Sequence, residues 1–290
     1  MNGWIVYTRE ESVRNELFIN RFLENASSFG MDLRLVLVED ITIGIEGHNP
    51  ILKYNGVICD SPDFVIMRTI HPILSIHFEE MGSRVFNSAS SSFLFNHKFK
   101  THQQLTKLKL PMMDTYYTKK HSLLDSNLPL DFPFVLKACH GRGGNQVFKV
   151  SNQKELQLNL ENIDEEEIIL QKICPNPGKD LRVFVVGNEV IGAVLRESNN
   201  DFRANYSLGG NARFYELNES EKRIIQKVTD NFSFDFVGID FIFDENNSLI
   251  FNEIEDVVGS RTLSATSEVD CVIIYLHYIK NTLKNEFTNV

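Results

Sequence analysis

Residues 236–255 read FVGIDFIFDENNSLIFNEIE, which is two apolar stretches on either side of the polar turn DENN. The stretches, Phe236–Phe243 and Leu249–Ile254, have the length and turn composition that predict a β-hairpin. Asp240 lies in the first stretch, Glu253 in the second, and Glu255 directly after it. Because residues two apart on a strand face the same side, we expect Glu253 and Glu255 to point together, with Asp240 on the neighbouring strand.

Such a group of carboxylates suits hard Mg2+ ions that also hold substrate phosphates. The apolar neighbours of these acids, among them Phe241 and Ile254, predict a hydrophobic setting in which an acidic group needs a reason to be present. A solvent-facing edge of an amphipathic hairpin would explain the same pattern. From the two strands alone, both interpretations stay open.

A glycine-rich segment, HGRGGN at 140–145, separates two strand-like stretches at 134–137 and 146–149. Glycines let backbone N–H groups approach an anion closely, and Lys137 at the strand end can neutralise phosphate charge. The segment is neither a Walker A loop nor a complete GxGxxG, because position 146 is Gln. A flexible hairpin loop without a ligand is the alternative.

A third group of candidates lies in a β-rich region. It starts with DLRVFVVG at 180–187, continues with Arg196, and reaches DFRAN at 201–205 before two glycines. Arg182, Arg196, Arg203 and Asn205 are side chains that can bind phosphate or carboxylate groups, the arginines in a bidentate manner. Surface salt bridges to acidic residues in the same stretch are the competing interpretation.

The rest of the chain predicts an α/β organisation. Up to about residue 95, short apolar strands alternate with helical patterns, which is typical of a parallel sheet. The first predicted elements are a strand at 4–7, a helix from Glu10 to about Ser28, and a strand at 33–38. After an amphipathic helix at 98–109, strand pairs dominate. We therefore predict three units, at 1–95, 96–173 and 174–290.

Composition limits the class of protein. The chain has 290 residues, 42% hydrophobic and 23% charged, and a formal net charge of −10. This acidity argues against a sequence-independent nucleic-acid binder, which needs a basic face. The four cysteines form no CxxC pair and are expected to be reduced thiols. Without a signal peptide or a long apolar run, we expect a cytoplasmic protein that does not enter a membrane.

Together and in this order, these features resemble the ATP-grasp family, most closely its RimK-like branch, which contains glutamate ligases and LysX-type ligases. The resemblance covers residues 96–263. Its most specific parts are DLRVFVVG at 180–187, DFRANYSLGGNA at 201–212, and VGIDF at 237–241 followed by FNEIE at 251–255. The fold that it implies is α/β (α+β): an N-terminal pre-ATP-grasp α/β domain and two α+β lobes that clamp the nucleotide.

The resemblance also implies roles for individual residues. Lys98 and Lys137 would contact ATP phosphates, and Gly141, Gly143 and Gly144 would belong to a mobile loop that closes over them. Lys172 and Ile173 would read the adenine edge, and Asp180 would lie beside the ribose. Arg196, Arg203 and Asn205 would stabilise the γ-phosphate and an acyl phosphate. Asp240, Glu253 and Glu255 would hold Mg2+, with Mn2+ as an alternative ion.

The activity implied is that of an ATP-dependent ligase. A substrate carboxylate would attack the γ-phosphate, and an amine would attack the resulting acyl phosphate to give an amide, ADP and phosphate. A side-chain nucleophile is not required, although Cys139 beside His140 is one candidate. The partners implied are a small-molecule carboxylate and amine, with a peptide or carrier protein as an alternative. A homo-oligomer is also left open.

Two departures from the family pattern limit what can be carried over. The family usually has Glu-x-Asn at its second metal motif, whereas this chain has Glu253-Ile254-Glu255. The extra carboxylate should still bind Mg2+, but it leaves the number of ions open. In the family, a Ser-Pro-Gly segment follows this motif and often borders the acceptor site. This chain has DVVGSR at 256–261 instead, so glutamate as the substrate cannot be carried over. Arg261 is either the ligand of a substrate carboxylate or a plain surface arginine.

Two other functions compete with the ligase that joins small molecules. One is a peptide-modifying ligase that acts on a ribosomal precursor peptide or carrier protein through the same site. The other is a catalytically silent nucleotide-binding or regulatory protein. The retention of Lys137, Arg203, Asp240 and Glu253 argues against a silent protein, because such a protein has no chemical need for the metal-binding set.

Overall fold

The computed structural model describes residues 1–123, 127–198, 201–204 and 210–288, with side chains up to residue 286. The strands are β1 Asn2–Tyr7, β2 Asp32–Leu37, β3 Ile41–Glu46, β4 Asn49–Tyr54, β5 Val57–Cys59, β6 Phe64–Met67, β7 Arg84–Phe86, β8 Thr115–Lys119, β9 Phe134–Ala138, β10 Val147–Val150, β11 Glu167–Lys172, β12 Asn176–Val186, β13 Glu189–Glu197, β14 Asn211–Phe214, β15 Phe236–Phe243 and β16 Leu249–Asp256. The helices are α1 Arg9–Arg14, α2 Glu16–Ala26, α3 Pro72–Glu80, α4 Ala89–Phe95, α5 Lys98–Leu105, α6 Gln153–Glu161, α7 Glu219–Thr229, α8 Arg261–Thr266 and α9 Cys271–Thr288.

The first sheet is parallel, in the order β2-β1-β6-β7, as the alternation of strands and helices predicts. The single helix expected from Glu10 to about Ser28 is wrong, because the chain forms α1 and α2 with Asn15 between them. Asn15 Nδ2 donates to the carbonyl of Glu11 at 2.8 Å, a local hydrogen bond that competes with the continuing helix. Gly30 follows in the left-handed conformation at φ 77° and ends this segment.

A separate antiparallel sheet, β3-β4-β5, was not predicted from the sequence. Its strands are mostly half-exposed or exposed, so they lack the buried apolar run that signals a strand. A tight turn at Asn55-Gly56 joins β4 to β5. Asn55 and Gly56 have φ values of 51° and 78°, as a tight hairpin turn requires.

The middle of the chain forms the antiparallel sheet β10-β9-β11-β8, with α6 packed against it. The pair β9 and β10, predicted around the glycine-rich segment, is confirmed. Strand β8 was missed because three of its residues are exposed and only its pairing with β11 defines it.

The largest sheet is antiparallel, in the order β14-β13-β12-β15-β16. The hairpin predicted at 236–254 is confirmed, since β15 pairs with β16, and β12 and β13 form a second hairpin in the β-rich region. Helix α9 packs Tyr275 against Phe236 of β15 and against Phe22 of α2, at ring distances of 5.1 and 6.2 Å. The last helix therefore joins the largest sheet and the first sheet through one apolar core. The unit boundaries near residues 95 and 173 stay a prediction.

Within the described residues, no helix combines the length and apolar character that crossing a bilayer would require.

Candidate functional site

The three larger sheets contribute to one cavity of about 620 Å3. Its lining includes the glycine-rich segment after β9, residues of β11 and β12, and the acidic end of β16. The first sheet contributes Tyr7 and Arg68, each at or just after the carboxyl end of a strand. Ligands bind characteristically at such ends of parallel strands. The cavity is thus the point at which residues far apart in sequence meet.

A row of charged side chains crosses one face of the largest sheet beside this cavity. Asp180 of β12 lies opposite Arg196 of β13, and Arg182 lies opposite Asp240 of β15. Asp240 in turn lies opposite Glu253 of β16. Since Asp180 and Arg182 are two residues apart, both project from the same face of the strand. Pairing of the strands therefore places arginines beside carboxylates across β13, β12 and β15, and the row ends with the two carboxylates Asp240 and Glu253.

The arginines in this row bind Asp240 from two sides. Arg182 donates from Nε and Nη2 to Asp240 at 2.8 and 2.7 Å, and Arg196 donates from Nη2 at 2.9 Å. Arg196 also forms a bidentate pair with Asp180 at 2.6 and 2.9 Å. Burial alone would raise the pKa of the Asp240 carboxyl, but Arg182 and Arg196 hold that pKa well below its usual range. Asp240 is thus an anion fixed between two cations.

The acidic end of β16 is shaped by a bulge. Asp240 pairs with Glu253 and the next residue, Phe241, pairs with Phe251, so Asn252 has no partner in β15. Glu253 forms an ion pair with Lys98 at 3.3 Å, and Glu255 forms one with Arg182 at 2.5 Å. Despite this ion pair, Glu255 Oε2 is buried without a partner in hydrogen-bond geometry. The bulge therefore presents Asn252, Glu253 and Glu255 together beside Lys98.

Lys137 lies at the centre of a polar network. Its Nζ donates to Gln171 Oε1 at 2.7 Å and to Asn252 Oδ1 at 3.2 Å. Burial lowers the pKa of Lys137 to about 8, with Glu253 opposing the change and Lys98 adding to it. The amine is held by neutral acceptors, which leaves its charge available to an anion in the cavity.

The glycine-rich segment contacts the arginine region predicted as a separate motif. Gly143 and Gly144 have φ values of 64° and 77°, a conformation that few residues other than glycine adopt easily. Arg203 donates from Nη1 to the carbonyl of Gly144 at 2.6 Å and pairs with Asp201 at 2.7 Å. Lys98 Nζ donates to the carbonyl of Gly141. Arg203 and Lys98 therefore approach the segment from two sides.

The segment after β16 is held by several donors. Arg142 donates to the carbonyls of Asp256 and Val257 at 3.3 and 2.6 Å, and Arg68 donates to that of Val258 at 2.7 Å. Val257 has a φ of 59°, which is strained for a β-branched side chain. Such strain is maintained where surrounding contacts over-determine the backbone, as they do here.

The structure brings most of the predicted site residues together. Those that line the cavity are Lys98, Lys137, Gly141, Gly143, Gly144, Lys172, Ile173, Asp180, Arg196, Arg203, Glu253 and Glu255. Asp240 lies behind this surface, 2% exposed, in contact with Arg182 and Arg196. Both oxygens of Asp180 accept from Arg196, so a ribose contact would compete with this pair. Asn205 lies outside the described residues.

Sequence reasoning missed several residues of the cavity. Arg182 was noted as an arginine of the third motif, but its central position between Asp240 and Glu255 appears only when β12 and β15 pair. Tyr7 and Arg68 belong to the first unit and carried no motif. Their position in the sequence could have indicated them, because each lies at or just after the carboxyl end of an apolar strand of the first sheet, where ligands characteristically bind.

The nucleophile candidate Cys139 is unsuited to that role. Its side chain is fully buried, and burial raises the pKa of the thiol to about 12. Since the thiolate is the reactive form, a thiol with this pKa is inert near neutral pH. The expectation of reduced cysteines is consistent with the structure, in which all four are free.

The donor set fits a hard divalent cation. Asp240, Glu253, Glu255 and Asn252 carry oxygen atoms of the kind that Mg2+ prefers, on two paired strands. Arginines bind Asp240 and Glu255, and Lys137 binds Asn252, so a cation would share these oxygens with them. Glu255 Oε2 lies 2.5 Å from Arg182 Nη1, so a cation bound there would share this oxygen with the arginine. Glu253 opens onto the cavity, where a phosphate bound by Lys98 or Lys137 would meet it.

Comparison with known proteins agrees with this arrangement. Residues 95–279 match the model of the RimK-like ATP-grasp domain. Human N-acetylaspartylglutamate synthase A is 29% identical over 281 aligned residues, which cover 91% of this chain and 72% of that protein. A RimK-domain ATP-grasp protein from Sphaerobacter thermophilus superposes with a TM-score of 0.71 at 14% identity, covering 96% of this chain and 99% of that one.

A further solved structure is the ATP-grasp ligase PsnB in complex with a variant precursor, Mg and ADP. It matches with a TM-score of 0.66 at 14% identity, covering 97% of this chain and 98% of that chain. At such identities the solved structures establish the fold, and the ATP-grasp fold predicted from the sequence is confirmed. The family model spans β8 to β16 and includes the whole charged row, so the chain belongs to the RimK-like ATP-grasp family.

Proposed function

We propose that this protein is an ATP-dependent carboxylate–amine ligase that forms an amide through an acyl phosphate. The observation that carries the proposal is the row of paired arginines and carboxylates beside the cavity, with Lys98 and Lys137 facing the same space. Such a site neutralises a transferring phosphoryl group by positioning and charge, which is what phosphoryl transfer requires of a protein. Relatives such as human N-acetylaspartylglutamate synthase A and the ligase PsnB carry the names of synthases or ligases.

The proposed nucleotide contacts follow the cavity lining. Lys98 and Lys137 bind phosphates, and the segment of Gly141, Gly143 and Gly144 covers them. Lys172 and Ile173 meet the adenine edge; the N–H of Lys172 already donates to the carbonyl of Asp114 at 3.0 Å, so the other backbone groups of the two residues would read it. Asp180 lies toward the ribose, in competition with its pair to Arg196.

The catalytic contacts come from the arginines. Arg196, Arg203 and Asn205 would stabilise the γ-phosphate and the acyl phosphate, and the structure adds Arg182 to this set. Arg182 is 11% exposed at its side chain and bridges Asp240 and Glu255. It is therefore preorganised beside the place where negative charge develops.

The cation-binding residues in this proposal are Asp240, Glu253 and Glu255, with Asn252 as a neutral neighbour. When bound there, Mg2+ supplies charge neutralisation and orientation of the phosphates. Mn2+ takes the same oxygen ligands, so a replacement assay tests that alternative. The residues themselves hold the site in place, since Asp240 is anchored by two arginines and Glu253 by Lys98.

The bond changes balance without a side-chain nucleophile. A carboxylate oxygen bonds to the γ-phosphorus, while the bond from that phosphorus to the bridging oxygen breaks and ADP leaves. The amine nitrogen then bonds to the acyl carbon, the acyl C–O bond breaks, and phosphate leaves. The amine proton passes to solvent. The segment of Gly141, Gly143 and Gly144 excludes water from the acyl phosphate while it covers the phosphates.

A peptide-modifying ligase is the second candidate. PsnB, which shares the fold, was solved with a precursor, so a peptide carboxylate or amine fits the same scheme. The test is ADP release in the presence of Mg2+ and ATP across a panel of carboxylates and amines, with the Asp240→Asn/Glu253→Gln double variant as control. Release that needs both substrates supports the small-molecule ligase. Release only with an added peptide supports the alternative, and the lack of any ATP binding contradicts both.

The affinity for nucleotide is expected to fall as pH rises. A lysine whose pKa is about 8 is charged below that value and neutral above it, so the ligand-free protein loses a phosphate-binding charge. Binding of AMPPNP with Mg2+ should weaken by about tenfold per pH unit above about pH 8. Calorimetry between about pH 7.5 and 9 measures this. Lys137→Arg should flatten the profile and Lys149→Arg, on the exposed face of β10, should not. Equal pH profiles of AMPPNP affinity in the wild type and both variants would contradict the phosphate-binding role of Lys137.

Arg261 lines the cavity as the first residue of α8 and is exposed. If it binds a substrate carboxylate, Arg261→Ala removes a charge-assisted hydrogen bond, and the Michaelis constant for the acceptor should rise by about tenfold. Steady-state ADP release with varied acceptor measures this. An unchanged Michaelis constant would assign Arg261 to the surface.

A further inference from the structure

Tyr7 and Arg68 form a polar pair at the carboxyl end of the first sheet. Tyr7 is the last residue of β1, and Arg68 directly follows β6, the strand paired with β1. The backbone N–H of Arg68 donates to the carbonyl of Val6 at 2.9 Å, so the two residues are neighbours across the strands. Both side chains line the cavity, although they are only 2% and 6% exposed.

The pair has hydrogen-bonding capacity that the protein does not use. The Tyr7 hydroxyl and Arg68 Nε are buried, and neither has a hydrogen-bond partner in the described part of the chain. No carboxylate among those residues forms an ion pair with Arg68. Asp256 and Tyr7 favour the charged form of Arg68 electrostatically, but Asp256 does not pair with it directly, and a buried hydroxyl or N–H group without a partner in hydrogen-bond geometry costs free energy. Both atoms would gain a partner if an anion entered the cavity.

A structural role explains only part of the geometry. Arg68 Nη2 donates to the carbonyl of Val258 at 2.7 Å, and the guanidinium lies 5.4 and 5.7 Å from the ring centres of Phe18 and Phe236. These contacts involve Nη2 and place aromatic rings beside the Arg68 guanidinium. They leave Nε and the Tyr7 hydroxyl without partners, which a purely structural arginine would not require.

We propose that Tyr7 and Arg68 bind a carboxylate of the substrate other than the one that reacts. This inference rests on the proposed ligase activity and names the substrate class: an amino acid or other molecule that carries a free carboxylate besides its reacting group. One guanidinium balances one negative charge, and its Nε edge with a neighbouring hydroxyl matches a planar carboxylate. The reacting group belongs instead beside Arg182 and Glu253, on the largest sheet.

The spacing agrees with one molecule reaching both places. Arg68 binds the carbonyl of Val258, three residues after Glu255, so the two positions are separated by at most about 10 Å of chain. Arg142 holds the intervening carbonyls, and Val257 is kept in its left-handed conformation between them. The segment held by Arg142 and Arg68 therefore sets a fixed distance between the Tyr7–Arg68 pair and the acidic end of β16.

The test compares acids with their amides. Calorimetry with Mg2+ and AMPPNP present would measure the affinity for L-aspartate, L-glutamate and L-alanine, and for the α-carboxamide of each. L-Asparagine and L-glutamine would serve as the side-chain amides of the first two acids. At least one acid should bind about tenfold or more tightly than its matched amide. Tyr7→Phe should lower affinity for that acid about tenfold and leave its amide unchanged. Arg68→Gln should abolish the difference between acid and amide.

Controls separate this proposal from the ligase activity and from misfolding. Tyr7→Phe removes only a hydroxyl without a partner, so the Tm of the free protein should not fall, and AMPPNP should bind normally. Tyr54→Phe, in β4 and outside the cavity lining, should behave as wild type. A preference for acids with no ADP release would support the anion site and contradict the ligase. The proposal is overturned if no acid outcompetes its amide, if both variants keep the preference, or if Arg261→Ala alone removes it.

Discussion

An Asp240→Asn variant is expected to lose about 3 kcal/mol of unfolding free energy, because it leaves two buried arginines without their shared anion. Arg182 and Arg196 donate three hydrogen bonds to Asp240, whose side chain is 3% exposed. An amide has the same shape but no charge, and its NH2 group would face an arginine donor. Urea denaturation of both proteins at neutral pH measures the loss.

The matched control is Glu245→Gln, an exposed acid in the turn of the same hairpin. That variant should stay within about 0.5 kcal/mol of wild type. The pH dependence has a definite sign. Because the folded pKa of Asp240 lies below its unfolded value, its contribution is fully present above about pH 4 and is lost as the carboxyl is protonated at lower pH. A variant as stable as its control would show that the arginines do not depend on Asp240.

The largest effect on activity is expected for Glu253→Gln, which should lower kcat for ADP release by about 10²-fold or more. Glu253 is the carboxylate of β16 that opens onto the cavity and pairs with Lys98 at 3.3 Å. Glutamine keeps the length of the side chain and an oxygen acceptor for Lys98. The loss of charge therefore removes cation binding with less effect on packing than the Asp240 substitution has.

Steady-state ADP release at a Mg2+ concentration that just saturates the wild type measures this effect, and Glu245→Gln again serves as the control. The Tm of Glu253→Gln should stay near that of wild type, which separates a catalytic loss from unfolding. Raising the Mg2+ concentration should restore part of the activity if cation affinity is what the variant lost. A decrease of less than about tenfold would contradict a central role for Glu253.

Local pattern was sufficient for the strands and helices with buried apolar faces. The hairpin β15–β16, the pair β9–β10 and the parallel first sheet all follow from periodicity and turn residues. The half-exposed strands β3 to β5 and β8 were missed, because they pair through the backbone and carry little apolar periodicity. Helix α8 was missed because six residues are too few to show a helical period. The break at Asn15 was missed because it depends on one side-chain hydrogen bond.

The sequence by itself determined the family resemblance, the acidic motif on β16, the glycine-rich segment and the arginines that follow it. Those signals can be read from the sequence because spacing along a strand or loop decides which side chains share a face. Only the tertiary structure decided that Arg182 lies between Asp240 and Glu255, and that Arg203 contacts Gly144. It also brought Tyr7 and Arg68 to the same cavity. Strand pairing and packing between sheets join residues that are far apart in sequence, and no local pattern encodes which strands will be neighbours.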